Sequence, residues 1–308
     1  MAANKHNKTA MLLLSCAGFS ALAITSAAQA QVPSVHPIAA SGSLTPTPAV
    51  VAPARPGEAA KSTVQPPTAA PFAASTFSCI TSPEFARFSQ PLRRVAHRLA
   101  AGEPVTIVAI GSSSTAGAGA SSPATSYPSR LADELKQRFP GHDITVLNRG
   151  VNGDETQQML ARFATDVIAP RPDLVLWQVG TNSVLRDHSL RTHAVLLREG
   201  VAQLKDIGAD VVLMDMQFAP RVLAKAETQG MEDQIAFVAK EANVDLFNRF
   251  ALMRNWHQVQ HIPFDVFTAP DELHMNDWGY ACVAKFLAAA IAEAGTRPTA
   301  TAAAPAAH

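Results

Sequence analysis

A parallel β-sheet covered by helices on both faces is the fold class this sequence predicts. Three observations carry it. The strand-like runs are almost continuously apolar rather than alternating, as in Val105-Thr-Ile-Val-Ala-Ile110, Leu174-Val-Leu-Trp177 and Val211-Val-Leu-Met214, which is the pattern of strands buried on both sides. Helical periodicity fills the intervals between them, one segment per interval. Glycine and proline then punctuate the joints, at Gly102, Gly111 and Pro140-Gly141.

The elements follow in order. Phe85 to Ala101 has the spacing of a helix, with Gly102 as its stop. The run 105–110 is the first strand. Ser129 to Phe139 is an amphipathic helix ended by Pro140-Gly141. Ile144-Thr-Val-Leu147 is the second strand and Glu155 to Ile168 the next helix. Leu174 to Trp177 is the third strand, followed by a helix around Thr192 to Ile207. Val211 to Met214 is the fourth strand, Met231 to Glu241 a helix, Val244-Asp-Leu246 a short fifth strand, and Asp277 to Ala294 the closing helix. In parallel sheets of this kind, sites form where the carboxyl ends of the strands meet the loops. Positions 113, 153 and 182 all fall on that edge.

Composition narrows the class of function. The chain has 308 residues, 47% hydrophobic and 16% charged, enough for one well-buried core. Its 25 basic and 25 acidic residues balance, and no clustered basic face marks a nucleic-acid binder. Lys5 and Lys8 precede an apolar stretch from Met11 to Ile24, and Ala28-Gln-Ala30 has the small-x-small pattern of a cleavage site. Residues 1–30 therefore read as an export signal. The expected destination is periplasmic or secreted. Leu13-Leu-Ser-Cys16 faintly matches a lipid-attachment site, but most of the apolar run lies after Cys16, so simple cleavage ranks above lipid anchoring. Residues 31–75 are rich in Pro, Ala, Ser, Thr and Val and read as an extended linker. The folded domain is expected at 76–295 and a disordered Ala/Pro/Thr tail at 296–308. Once the signal is removed, Cys79 and Cys282 remain. An exported pair suggests a disulfide, and two buried free thiols are the alternative, since only geometry decides.

The chemistry-bearing residues lie in four places. Gly111-Ser-Ser-Ser-Thr115 follows the first strand, where Ser113 would be exposed as a nucleophile; serines there also commonly cap the next helix. Gly117 and Gly119 invite a dinucleotide-loop reading, but a G-x-G-x-x-G fingerprint is absent. Asn148-Arg-Gly-Val-Asn-Gly-Asp154 follows the second strand and offers a turn with an exposed N–H. Gly180-Thr-Asn182 follows the third, with an amide suited to an oxyanion or to a backbone cap. Asp271-Glu-Leu-His274 places a carboxylate and an imidazole three residues apart. A serine hydroxyl needs a neutral imidazole within reach, and the imidazole needs a partner to fix its tautomer.

Together these blocks resemble the SGNH hydrolases, also called the GDSL esterase/lipase family. Their serine, glycine, asparagine and histidine match Ser113, Gly153, Asn182 and His274 in order. The resemblance spans about Val105 to Ala290. It implies a flavodoxin-like three-layer α/β/α sandwich of about five strands, and ester hydrolysis without metal or cofactor. It further implies Ser113, His274 and Asp271 as the triad, with the Ser113 and Gly153 N–H groups and the Asn182 amide as the oxyanion hole. Two positions depart from the pattern. Ser112 stands where the family usually has aspartate, and Ser183 where its third block usually continues with an acid. Both put loop anchoring in doubt more than catalysis.

Met216, Gln217 and Phe218 end the fourth strand on the same edge and are candidate substrate-pocket residues, with ordinary packing an equal reading. His257 and His261 sit four apart without a metalloprotease motif, so solvent-facing histidines are the better reading than metal ligands. The expected function is an exported serine esterase acting on acyl-chain or O-acetyl-carbohydrate esters. It is expected to be a monomer with a small-molecule, glycan or lipid ester as its partner, and with an association with the cell envelope open. The competing reading is a non-catalytic envelope-binding protein that keeps the fold.

Overall fold

The computed structural model describes residues 77–80 and 82–298, all of which fall within one compact unit, Thr68–His308. The expected export signal, the whole of the expected linker and most of the expected tail lie outside the described residues.

Five parallel strands form a single sheet: β1 Val105–Gly111, β2 Ile144–Gly150, β3 Leu174–Gln178, β4 Asp210–Met214 and β5 Asp245–Phe247. Their order is β2-β1-β3-β4-β5, the flavodoxin-like arrangement, whose topological switch point lies between β1 and β3. The central strands are closed to solvent along almost their whole length; Val108, Ala109, Ile110 and Leu174 to Trp177 are all fully buried. This is why their sequences lack alternation.

The helices are α1 Arg93–Ala101, α2 Ser113–Ala116, α3 Tyr127–Arg138, α4 Thr156–Ala161, α5 Thr181–Leu185, α6 Leu190–Asp206, α7 Pro220–Leu223, α8 Thr228–Ala242, α9 Arg249–Arg254, α10 Phe264–Phe267 and α11 Asp277–Thr296. α11 packs against α1 and α3 in one layer, while α6 packs against α4 and α8 in the other. α6 approaches closely through Gly200, where a Cβ would stand 2.2 Å from the Trp177 ring.

Three expectations are corrected. The helix expected over 85–101 is broken: a 3-10 turn, Pro83–Ala86, precedes α1, and Pro91 sits in the non-helical stretch between them, since proline removes a donor and disfavours helix in the residue before it. The helix expected over 155–168 ends at Ala161 and resumes as a π turn, Ala164–Ile168. β2 continues to Gly150, pairing with Gly111 in register, so Asn148-Arg-Gly belongs to the strand and the loop starts at Val151. Gly150 is required there: a Cβ would lie 2.1 Å from the Ala116 amide nitrogen of α2.

Cys79 and Cys282 are joined as a disulfide across 203 positions, with their Cα atoms 5.7 Å apart. The bond ties the start of the described domain to α11. In the loop-closure account, a cross-link of this span restricts the unfolded chain by about 5 kcal/mol.

A second feature concerns the amino edge of the sheet, where an aspartate stands beside the start of each of the last three strands. Asp173 accepts from Arg94 Nε at 2.8 Å, Arg98 Nε at 3.0 Å and the Thr106 N–H at 2.9 Å. Asp210 accepts from the N–H groups of Arg94 and Val95, both at 3.0 Å, and so holds the first turn of α1. Asp245 accepts from Ser89 and Gln90.

Candidate active site

At the opposite edge, β1 runs into Ser112 and the one-turn helix α2, whose first residue is Ser113. The turn is held from below by a buried amide. Gln178, the last residue of β3, accepts from the Ser112 N–H at 2.9 Å, the Ser112 hydroxyl at 3.0 Å and the Thr115 hydroxyl at 3.2 Å. Ser112 and Thr115 are closed to solvent while Ser113 is half-buried. The nucleophile candidate among three consecutive serines is therefore decided by packing: Ser112 and Ser114 point into the protein, where Gln178 and Gln217 receive them.

His274 reaches Ser113 across 161 positions, with Nε2 at 2.7 Å from the serine Oγ. Its Nδ1 lies 2.5 Å from Asp271 Oδ2. The other Asp271 oxygen accepts the N–H groups of Leu273 and His274, at 3.0 and 2.9 Å, an Asx turn that fixes the carboxylate toward the ring. Glu272 takes a left-handed φ of 58° to close this turn, a conformation that costs about 1 kcal/mol or more in a non-glycine residue. Burial pushes the Asp271 carboxyl upward, but the bonds from the His274 side chain and from the two amides outweigh it and hold the group below the ordinary carboxylate range.

Neighbouring contacts carry the two ends together. Met275 pairs with Thr268 as an antiparallel bridge, and Ala269 donates to the His274 carbonyl at 2.8 Å. The loop after α2 is fastened to α11 by Ser121 on Asp277 and by the Tyr280 hydroxyl on the Ala118 carbonyl. Gly119, with φ +86°, passes under the histidine, where a Cβ would stand 2.9 Å from His274 Cβ. Gly117 and Gly119 are thus spacers for this loop rather than a phosphate cradle.

The 151–155 loop completes the site. Gly153 has φ +84°, and its N–H has no protein partner among the described residues. The Asn182 amide of α5 donates to the Asp154 carbonyl at 2.8 Å, next to that glycine. Charged groups brace the loop from outside. Arg162 holds Asp154 at 2.8 Å and the Gly111 carbonyl at 3.1 Å. Arg186 holds the Gly153 carbonyl at 3.0 Å and Glu155 at 2.6 Å. Glu155 also accepts from Ser183 at 3.0 Å and His188 at 2.7 Å. Burial raises the Glu155 carboxyl, yet the bonds from His188, Arg186 and Ser183 prevail and leave it lowered.

The two departures from the family pattern thereby find anchors. Ser112 is held by Gln178, and Ser183 by Glu155, an acid supplied from the neighbouring loop. Sequence reasoning missed Gln178, Glu155, Arg162 and Arg186; the only signal for them was polar or charged residues next to the four blocks.

Met216, Gln217 and Phe218 are corrected as pocket residues. They are buried, at 0, 1 and 4% exposure, and offer no surface to a substrate. Phe218 packs edge-on to Phe250 and stacks on Phe264. His257 is half-buried, its ring stacked on Phe264 with centroids 4.0 Å apart, and His261 is exposed. Among the described residues no group of three His, Cys, Asp or Glu side chains could hold a metal ion.

Beneath the edge lies a buried ionic cluster. Asp215 follows β4 and Arg249 opens α9, both at 0% exposure. The Phe250 N–H bonds Asp215 at 2.9 Å, and Arg249 Nη2 bonds the Asp215 carbonyl at 2.6 Å and Gln217 Oε1 at 3.1 Å. Burial, reinforced by Asp215, drives the Glu232 carboxyl far up.

Fold, family and relatives together define the class, a carboxylic-ester hydrolase of the SGNH type. The chain belongs to the non-GDSL lipase-like family, which matches residues 78–297. A Vibrio mimicus arylesterase is 29% identical over 171 residues, 53% of this chain and 76% of the relative. A Geobacillus stearothermophilus acetylxylan esterase is 31% identical over 100 residues, 29% of this chain and 46% of the relative. Among solved structures, a two-domain esterase active on acetylated mannans superposes with TM-score 0.58 at 26% identity. That match covers 71% of this chain and 57% of the two-domain protein, so the chain spans less than two thirds of that relative.

Proposed function

We propose that this chain is an exported serine esterase that removes short acyl groups, acetyl foremost, from hydroxyls of carbohydrate-like alcohols. The observation that carries the reading is the single imidazole bonded to Ser113 Oγ on one side and to Asp271 on the other. The acetylxylan esterase and the esterase active on acetylated mannans among its relatives favour the O-acetyl substrate class.

The reaction follows from the geometry. Ser113 Oγ attacks the ester carbonyl while His274 Nε2 takes its proton. Asp271 accepts from Nδ1 and stabilises the imidazolium. The Ser113 and Gly153 N–H groups and the Asn182 amide receive the developing oxyanion. Collapse breaks the bond to the alcohol oxygen, which takes the proton from His274. A water, deprotonated by the same imidazole, then attacks the acyl-serine and releases the acid. Preorganised donors around the oxyanion supply the largest share of such acceleration.

Export is supported by the signal-like 1–30 segment and by the Cys79–Cys282 bond, which belongs to an oxidising compartment. The non-catalytic reading rested on Ser112 and Ser183, and both side chains have anchors, so no observation favours it.

The test is a panel of acetylated xylo- and manno-oligosaccharides beside aryl esters of increasing acyl length, with fluorophosphonate labelling in parallel. Turnover of acetyl esters and labelling that disappears in Ser113→Ala are expected. A folded protein that is neither labelled nor active on any ester sinks the proposal. Preference for long acyl chains over acetyl would overturn the substrate class alone.

A further inference from the structure

Each of the three side chains assigned above to the nucleophile, the oxyanion amide and the base has an immediate neighbour in sequence that bonds one buried group. That group is the Gln217 amide, 1% exposed after β4. Its Oε1 accepts from Ser114 Oγ at 3.4 Å, Thr181 Oγ1 at 3.0 Å and Arg249 Nη2 at 3.1 Å. Its Nε2 donates to the Leu273 carbonyl at 3.3 Å. Ser114 follows Ser113, Thr181 precedes Asn182, and Leu273 precedes His274.

We infer that Gln217 is a positioning residue that holds nucleophile, oxyanion donor and base in mutual register. The inference rests on the esterase reading and deepens it. An amide puts the needed chemistry on one uncharged planar group, an acceptor facing two hydroxyls and a guanidinium and a donor for a carbonyl. A carboxylate in its place keeps the acceptor side and suits Arg249, but leaves the Leu273 carbonyl without its donor. An apolar side chain orphans every partner at once. Arg249 gives the amide a rigid seat, since its guanidinium is fully buried and also bound to the Asp215 carbonyl. Displacements well under 1 Å at the reacting atoms suffice to slow a triad, so a group that bonds all three segments controls turnover without touching substrate.

The test compares Gln217→Glu with the parent on an acetyl ester that the parent hydrolyses. It reads kcat, KM, the fluorophosphonate labelling rate and the melting temperature. Positioning predicts that kcat and the labelling rate fall together by tenfold or more, with KM within twofold and melting changed by only a few degrees. A kcat loss under tenfold overturns the inference, and so does a loss carried by KM. If Gln217→Glu does not fold, Thr181→Val carries the test. That variant removes one donor to Gln217 at nearly constant volume. It is expected to lower kcat at least threefold at unchanged KM, and any smaller loss overturns the inference. A parent that is itself inert toward esters and probe defeats the esterase reading and this inference with it, whereas an active parent matched by an equally active Gln217→Glu defeats this inference alone.

Discussion

The two edges of the sheet use polar residues in opposite ways. At the amino edge, aspartates beside the starts of β3, β4 and β5 are saturated by arginines, a serine and backbone N–H groups, and their bonds link strands to α1 and to the segment before it. At the carboxyl edge two of the buried anchors are neutral amides, Gln178 and Gln217, and the segments they hold carry the Ser113 hydroxyl, the Asn182 amide and the His274 imidazole. The contrast teaches how a parallel sheet divides its work. Here the turn is held by amides, which anchor without adding charge. At the amino edge no charge develops, and acids serve as strong multi-acceptor staples.

Substitutions at the two edges should therefore separate activity from stability. The largest effect is expected for Asn182→Ala, with kcat down about a hundred- to a thousandfold and melting nearly unchanged. Steady-state kinetics on an acetyl ester checks it. A loss within a few-fold would remove Asn182 from the oxyanion hole. Asp173→Ala is the counterpart: about 3 kcal/mol of stability lost in urea denaturation, because the Thr106 N–H is left unpaired and two arginines lose their shared acceptor, with kcat preserved under folding conditions. A kinetic defect in that variant would break the division between edges.

Two carboxylates, Asp210 at one edge and Glu155 at the other, differ in the sign of their pH response. Burial raises the Asp210 carboxyl to about 6, against the opposing backbone bonds from Val95 and Arg94. A carboxyl raised in the folded state favours folding below the ordinary carboxylate range, and that contribution is lost as pH rises through about 6. Asp210→Asn should flatten the corresponding decline in stability between about pH 4 and pH 6, read from urea midpoints across pH. Glu155, at the other edge, is lowered. Its contribution is present above the ordinary carboxylate range and is lost as pH falls through its depressed folded value. The smallest effect is expected for Glu155→Gln: kcat reduced about three- to fivefold near neutral pH, and faster amide exchange over 151–155 by mass spectrometry. Unchanged exchange would mean that Arg162 alone secures the loop.

Much of this arrangement was legible before any coordinates. The strands β1, β3 and β4 announced themselves because both faces are covered, and the blocks around Ser113, Gly153 and Asn182 fell on one edge because every strand of a parallel sheet presents its carboxyl end there; the Asp271–His274 block follows α10 and is brought to that edge only by the fold. The boundaries were less legible. Pro91 breaks a helical pattern that reads as continuous from Phe85. The extension of β2 to Gly150 is invisible in Asn148-Arg-Gly, since its cause is the close approach of α2. Met216, Gln217 and Phe218 read as pocket residues from their position past β4, but all three are buried, Phe218 under Phe250 of α9 and Phe264 of α10.

Order along the chain was enough to determine the fold class and the family and to nominate candidate site residues, because these follow from hydrophobic period and from short local motifs. The pairing of Cys79 with Cys282, the choice of Ser113 among three serines, and the anchoring of the Ser112 and Ser183 positions by Gln178 and Glu155 were decided only by the tertiary structure. Each joins residues far apart in the chain through hydrogen bonds or a covalent link, and distance in space is a quantity that local sequence pattern does not encode.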